Sequence, residues 1–204
     1  MLIDFTVLSP RDAYNWMADS ITPRPIAWVS TVSADGKTNL APFSFFNGIT
    51  GNPPTLMFSA VANRGGVKKD TVRNVEATGE FVVNLVPHAL TEQMNASAAL
   101  LPHGDSEFDA FGIATAASTR VRPPRVAEAP VAFECVLHTI VSVGEGAGSA
   151  SVVFGRIVAA HVADSILGAD GKIDPALLDT VGRLGGENYV TTRDRFSLKR
   201  PDRK

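Results

Sequence analysis

The chain has 204 residues, enough for one domain with a sizeable core and too few for two generous ones. Hydrophobic residues make up 45% and charged residues 20%, the balance of an ordinary soluble globular protein. A net charge of -2 and a pI near 6.1 argue against nucleic-acid or anionic-membrane partners, which need a clustered positive field.

The opening MLIDFTVLSP has no positive n-region and no long apolar run, so it reads as neither signal peptide nor anchor. With Cys135 as the sole cysteine, no internal disulfide can form and the cytoplasm is the expected compartment. Ser9-Pro10-Arg11-Asp12 predicts a helix start, with Ser9 as cap and Asp12 as the capping-box acid. Thr22-Pro23-Arg24-Pro25 is extended, because proline disfavours a helical residue before it. Ile26 to Ser33 is a strand, Asp35-Gly36 a hairpin turn, and Thr38 to Phe46 the partner strand. Pro42 inside that partner marks a bulge or an edge position. Thr55 to Ala60 is a short strand. Lys68 to Thr78 is a helix that Gly79 can end.

Glu80 to Val86 predicts another strand and Leu90 to Leu101 another helix. The signal is then poor as far as Pro130. Val131 to Val143 and Ser151 to Ala163 are two long strands joined by a flexible turn, and Asp174 to Asp179 is a helical turn. The tail from Arg183, with Gly185-Gly186 and Tyr189, is expected to be a loop packed on the rest. Hairpins dominate and helices are too few to alternate with strands. The expected fold is mainly β with peripheral helices, an antiparallel barrel of six or seven strands in a single domain spanning residues 1–204.

Several chemistries lack their signatures. The four histidines (His88, His103, His138 and His161) show no i,i+3 or i,i+4 spacing, and no metal site is expected. There is no G-x-S-x-G motif, and Cys135 lies in a strand pattern that suits a buried, inert thiol. Gly144-Glu145-Gly146-Ala147-Gly148 fails the dinucleotide spacing and precedes a strand rather than a helix. No catalytic side chain can be assigned.

Two stretches do suggest a site. From Asn39 to Asn47, Pro42 breaks regular pairing and frees backbone amides that must find partners. Asn39, Ser44 and Asn47 add polar groups there, and Phe43, Phe45 and Phe46 add flat apolar surface. The alternative is a plain strand with a proline irregularity. From Asn63 to Thr71, Arg64, Lys68 and Lys69 bring charge, Gly65-Gly66 permits a tight turn, and Asp70-Thr71 fall at a helix start that attracts anions. The alternative there is a solvated basic turn. Together the stretches suit a flat aromatic ring with a phosphate tail, such as flavin mononucleotide (FMN).

These residues resemble the flavin reductase-like, FMN-binding split-barrel family, in particular its flavoredoxin-like branch. The likeness is carried by PRPIAWVSTVSADGKTNLAPFSFFN, by Pro53-Pro54 before Leu56-Met57-Phe58-Ser59, and by Lys69-Asp70-Thr71 with Asn74. It continues through Glu80 to Leu85, Ala129-Pro130, Phe154-Gly155 and Arg183-Leu184-Gly185-Gly186, and is loose from about Thr91 to Arg125. The resemblance implies a six-stranded split barrel that forms a homodimer with FMN near the interface. It implies that Asn39, Ala41, Pro42, Phe43, Ser44 and Phe45 line the ring and ribityl chain, with Asn47 beside them. Arg64, Lys69, Asp70 and Thr71 are expected near the phosphate, and Trp28 and Thr31 against the ring or its tail. The implied activity is hydride transfer from NADH or NADPH, as a transient donor, to flavin N5. The alternative is an FMN-holding electron carrier. A redox partner protein such as a monooxygenase would use the product.

Overall fold

The computed structural model describes residues 1–62, 65–102 and 104–201. Helix α1 (Pro10–Ser20) starts as expected: the Ser9 hydroxyl accepts from the Asp12 amide at 3.1 Å. The extended β1 (Arg24–Pro25) leads into β2 (Ala27–Val32), β3 (Thr38–Phe43), β4 (Phe46–Gly51) and β5 (Pro54–Val61). Helix α2 (Asp70–Thr78) ends at Gly79, whose φ of 70° is the left-handed conformation that glycine adopts without a Cβ penalty. Then come β6 (Glu80–Leu85), α3 (Thr91–Ala96), α4 (Glu107–Ala110) and the small hairpin of β7 (Thr115–Ala116) with β8 (Arg125–Val126). The long hairpin of β9 (Val131–Val143) and β10 (Ala150–Val162) follows, then β11 (Val181–Arg183) and β12 (Tyr189–Thr191).

Seven strands form one antiparallel sheet in the order β3-β2-β6-β9-β10-β5-β4. This is the expected split barrel, with β4 as a strand that the sequence pattern, ending its neighbour at Phe46, did not show. Pro42 takes the edge option and makes no bulge. The β2–β3 register runs unbroken from Ala27↔Phe43 to Val32↔Thr38. The Ser33 amide donates to Lys37 O at 2.9 Å, so the hydrogen-bonded pairs along the hairpin are the odd-numbered ones. Pro42, opposite Trp28, therefore sits where an N–H would point away from β2, and the ladder loses nothing by its absence.

The sheet curls until its two ends meet. Phe43 of edge strand β3 packs on Phe58 of β5 with ring centroids 4.9 Å apart, and Phe58 meets Phe81 of β6 at 5.6 Å. These rings join Val29, Val83, Cys135 and Val153 in the barrel core, which α2 closes with Val72 and Val75. Register shifts in β9–β10 place one extra residue, His138, on β9 and another, Val158, on β10. Such bulges bend strands, and here they let a 13-residue hairpin follow the curl. At Gly155 the backbone passes so close to Phe81 that an added Cβ would stand 2.2 Å from the ring. A second core lies outside the barrel, where Trp28, Leu40, Val86, Met94 and Phe108 pack together.

The tail is more regular than a packed loop: β1, β11 and β12 make a separate three-stranded sheet. Arg24 fastens it. Its buried guanidinium donates to the carbonyls of Ala18, Ile21 and Leu184 and to the Ser44 hydroxyl. One side chain thus ties the end of α1, the 184 loop and the corner between β3 and β4. Among the described residues no helix is long and apolar enough to cross a membrane.

Candidate functional site

The edge of β3, the start of α2 and the segment after α3 enclose a groove of about 280 Å³. Asn39, Ala41, Pro42 and Phe43 form one wall, and Lys69, Asp70 and Thr71 form the end. These are seven of the residues expected from the sequence, and the fold brings them together. Register explains the first wall: on an edge strand one side of the backbone has no neighbouring strand to cover it. The end is held by buried amides. Asn39 Nδ2 donates to Thr71 Oγ1 at 3.0 Å, and Asn74 Nδ2 donates to Thr31 Oγ1 at 3.0 Å. Both bonds cross from the sheet to α2, so the helix start is fixed against the strand edge.

The electrostatics of that end single out one cation. Lys68 pairs with Glu76 at 2.5 Å and Arg73 with Asp70 at 3.2 Å, whereas Lys69 forms no ion pair among the described residues. Lys69 is also the N-cap of α2, and its side chain makes no capping bond. The Val72 and Arg73 amides turn back to Lys69 O, while the Thr71 amide meets no acceptor among the described residues. A free ammonium beside a helix N-terminus is a site for an anion.

Other expected residues lie elsewhere. Thr31 is fully buried, outside the groove lining; it is the ladder partner of Asn39 and accepts from Asn74. Trp28 is fully buried in the second core, where Nε1 donates to Ser97 Oγ at 2.9 Å. It supports the opposite wall, because residues 97–102 line the groove. Ser44 and Phe45 form the two-residue corner between β3 and β4, outside the groove lining. Ser44 accepts from Arg24 Nε at 3.3 Å, and Phe45 packs edge-on to Tyr14 at 5.9 Å. The amides of Ser44 and Phe45 meet no acceptor among the described residues. The freed amides expected near Pro42 thus belong to the corner that follows it. Asn47 is exposed on β4, with Oδ1 accepting from the Gly48 amide at 2.8 Å. Arg64 lies outside the described residues.

The wall formed by residues 97–102, together with Asp105 and Glu107, was not legible in the sequence. The pattern carried a helix from Leu90 to Leu101, but α3 ends at Ala96 and the chain beyond it is irregular, while α4 is only four residues long. The one available cue was Phe108 with Phe111, an i,i+3 apolar pair that packs on the second core. Glu107 is buried, and its Oε2 accepts from the Leu40 amide at 2.8 Å. Burial pushes its carboxyl above the usual range, against the lowering effect of that amide.

Cys135 is buried in the barrel core and its thiol is pushed up by burial, as an inert structural cysteine should be. Among the described residues no group of histidine, cysteine and acidic side chains could hold a metal ion.

Comparison with known proteins gives consistent matches. The family described as "Flavin reductase like domain" matches residues 18–184. Nitrilotriacetate monooxygenase component B from Bacillus cereus superposes with a TM-score of 0.91 at 34% identity, covering 97% of this chain and 98% of that one. Pseudomonas fluorescens 2-nitrobenzoate 2-nitroreductase NbaA superposes with a TM-score of 0.89 at 32% identity, over 98% and 96%. An uncharacterised Aquifex aeolicus protein is 39% identical over 91% of this chain and 93% of its own length.

Proposed function

The chain belongs to the flavin reductase-like family, and from that footing we propose that it is an FMN-binding oxidoreductase that passes hydride from NADH or NADPH to flavin N5. The observation that carries this reading is Lys69, a cation without an ion pair among the described residues, at the start of α2 and sharing one groove with the Asn39–Phe43 edge. The donor set fits FMN. Lys69 and the Thr71 amide suit a phosphate, and Asn39 a hydroxylated chain. Pro42 and Phe43 offer flat apolar surface, and the Ser44 and Phe45 amides suit carbonyl oxygens of a ring. When bound, the flavin itself supplies the hydride-accepting chemistry.

The protein's work is then to hold and orient. The Asn39–Thr71 and Asn74–Thr31 bonds keep the phosphate end at a fixed distance from the β3 edge. Trp28, through Ser97, holds the facing wall. Stacking a nicotinamide within near-attack distance needs no acid or base from the chain, in keeping with the absence of an assigned catalytic side chain. The groove's 280 Å³ falls just below the range of about 300–1,000 Å³ usual for small-ligand clefts. A second copy of the chain would complete the cover, as a homodimer with the flavin near its interface. The matched B. cereus protein is named a monooxygenase component, which supports a downstream monooxygenase as the consumer of reduced flavin.

The test is twofold. Purified protein titrated into FMN should quench its fluorescence, and NADH or NADPH oxidation with added FMN should exceed the free-flavin background. Binding without turnover would instead favour the electron carrier. A colourless protein that leaves FMN fluorescence unchanged would end the flavin reading.

A further inference from the structure

We propose that Glu107 is a positioning residue of the groove and that its charge sets how tightly the groove holds an anionic ligand, an inference that rests on the flavin-phosphate reading above. Three observations converge on this residue. First, β3 is an edge strand, and the Leu40 amide points off that edge, where a buried N–H needs an acceptor. Glu107 Oε2 supplies it at 2.8 Å, so α4 is pinned to the strand that carries Asn39, Ala41 and Pro42. Second, Glu107 lines the same groove as Lys69. Third, the carboxyl lies within electrostatic reach of both Lys69 and Asp70.

The charged groups around it are few. Among the described residues, Lys68 and Lys69 stand before α2, Asp70 and Arg73 on it, and Asp105 in the loop before α4, with Lys68 engaged by Glu76. Asp109, on the same short helix, faces solvent. The described part of the wall at residues 97–102 is neutral, and β3 contributes only neutral groups. Arg73 is engaged by Asp70. Among the described residues the field at the anion end is therefore set by Lys69, by exposed Asp105 and by whether the buried Glu107 is ionised. A neutral Glu107 leaves the Lys69 field intact, and an ionised one partly cancels it. Burial moves the carboxyl's titration upward, toward conditions in which the fold is intact. In both states one oxygen can still accept from the Leu40 amide, so the wall stays in place while the charge changes.

Glu107→Gln keeps an acceptor oxygen and removes the charge. FMN dissociation constants are measured by fluorescence quenching from pH 4 to pH 8 for the unmodified chain and for Glu107→Gln. The phosphate's own second ionisation, near pH 6, acts on both proteins alike except through its repulsion by an ionised Glu107, which adds to the same rise in the ratio of the unmodified protein's constant to the variant's. That ratio should rise about fivefold with pH and level off; a ratio that stays flat overturns the proposal. The unmodified protein gives an independent readout. Riboflavin 5′-sulfate keeps a fixed charge over this range and should bind about fivefold more weakly at pH 8 than at pH 4, while uncharged riboflavin stays level. An equal pH response of the two ligands also overturns it. If the unmodified protein binds no flavin at any pH, the flavin reading itself falls and this inference with it.

Discussion

Glu134 offers the sharpest test of the physical account, because an ionised side chain with no exposed surface has to be fully compensated. Its Oε1 accepts from the Thr119 amide at 2.7 Å, and its Oε2 from the Arg120 and Val121 amides at 2.5 and 3.1 Å. His161 Nε2 on β10 closes on Oε1 as well. Glu134→Gln preserves shape but places an NH₂ group against one of those donors. With the carbonyl oxygen turned toward Arg120 and Val121, the Thr119 amide faces another donor. Losing one charge-assisted bond and leaving one buried N–H unsatisfied costs about 3–5 kcal/mol. That is a third or more of the stability of a domain holding roughly 10 kcal/mol. Urea unfolding at pH 7 should show this loss, and hydrogen exchange at residues 119–121 should accelerate. Burial alone would raise the carboxyl's pKa. The Thr119 amide, His161 and the Arg120 amide together outweigh it and hold the carboxyl below its ordinary value. The Glu134 contribution is therefore complete above the unfolded-state pKa, about 4.3, and is lost as pH falls through the lower folded-state value. The gap between the two proteins should narrow accordingly in acid. A difference below about 1 kcal/mol at pH 7, or one independent of pH, would refute the reasoning.

Three further outcomes follow from the same geometry. Lys69→Ala should weaken FMN binding by about 1–3 kcal/mol with little change in melting temperature; unchanged affinity in a fluorescence titration would remove the phosphate assignment. Gly155→Ala drives a methyl group to within 2.2 Å of Phe81 and should destabilise the barrel by about 1–3 kcal/mol, with Phe81→Leu in the same chain restoring part of the loss in a thermal melt. Cys135 should resist a thiol reagent in native buffer and react at once in denaturant; rapid native labelling would show that the barrel core opens there.

The strands were legible where side-chain period and turn chemistry agreed. Val131 to Val143 is observed with the expected bounds, and the Asp35-Gly36 turn closes its hairpin as read. Phe46 to Gly51 was missed because the break between β3 and β4 is only two residues long, Ser44 and Phe45, and neither is a turn former strong enough to mark it. The tail's β11 and β12 are three residues each, below the length at which alternation can be recognised. At the site, Asn39 and Thr71 were each named from local residue chemistry, but their mutual bond was not, because β4 and β5 lie between them in the chain. Glu107 was not named at all. Its role depends on a backbone amide of Leu40, a contact between positions 67 apart that no local pattern encodes. Trp28 illustrates the opposite error. An aromatic beside a suspected cofactor site invites a stacking role, yet alternation along β2 turns it to the outer core.

The two-residue step at Ser44-Phe45 has a consequence for how this chain tolerates change. It carries the backbone from one border of the sheet to the other, with Phe43 and the partly buried Phe46 both packed on the barrel core. Strand pairing has a period of two, so adding or deleting one residue in that step would slide β4 against β5 by one place and turn Phe46 outward. Length, rather than residue identity, is the constraint at that step, and homologous chains should vary there by substitution and hardly ever by insertion.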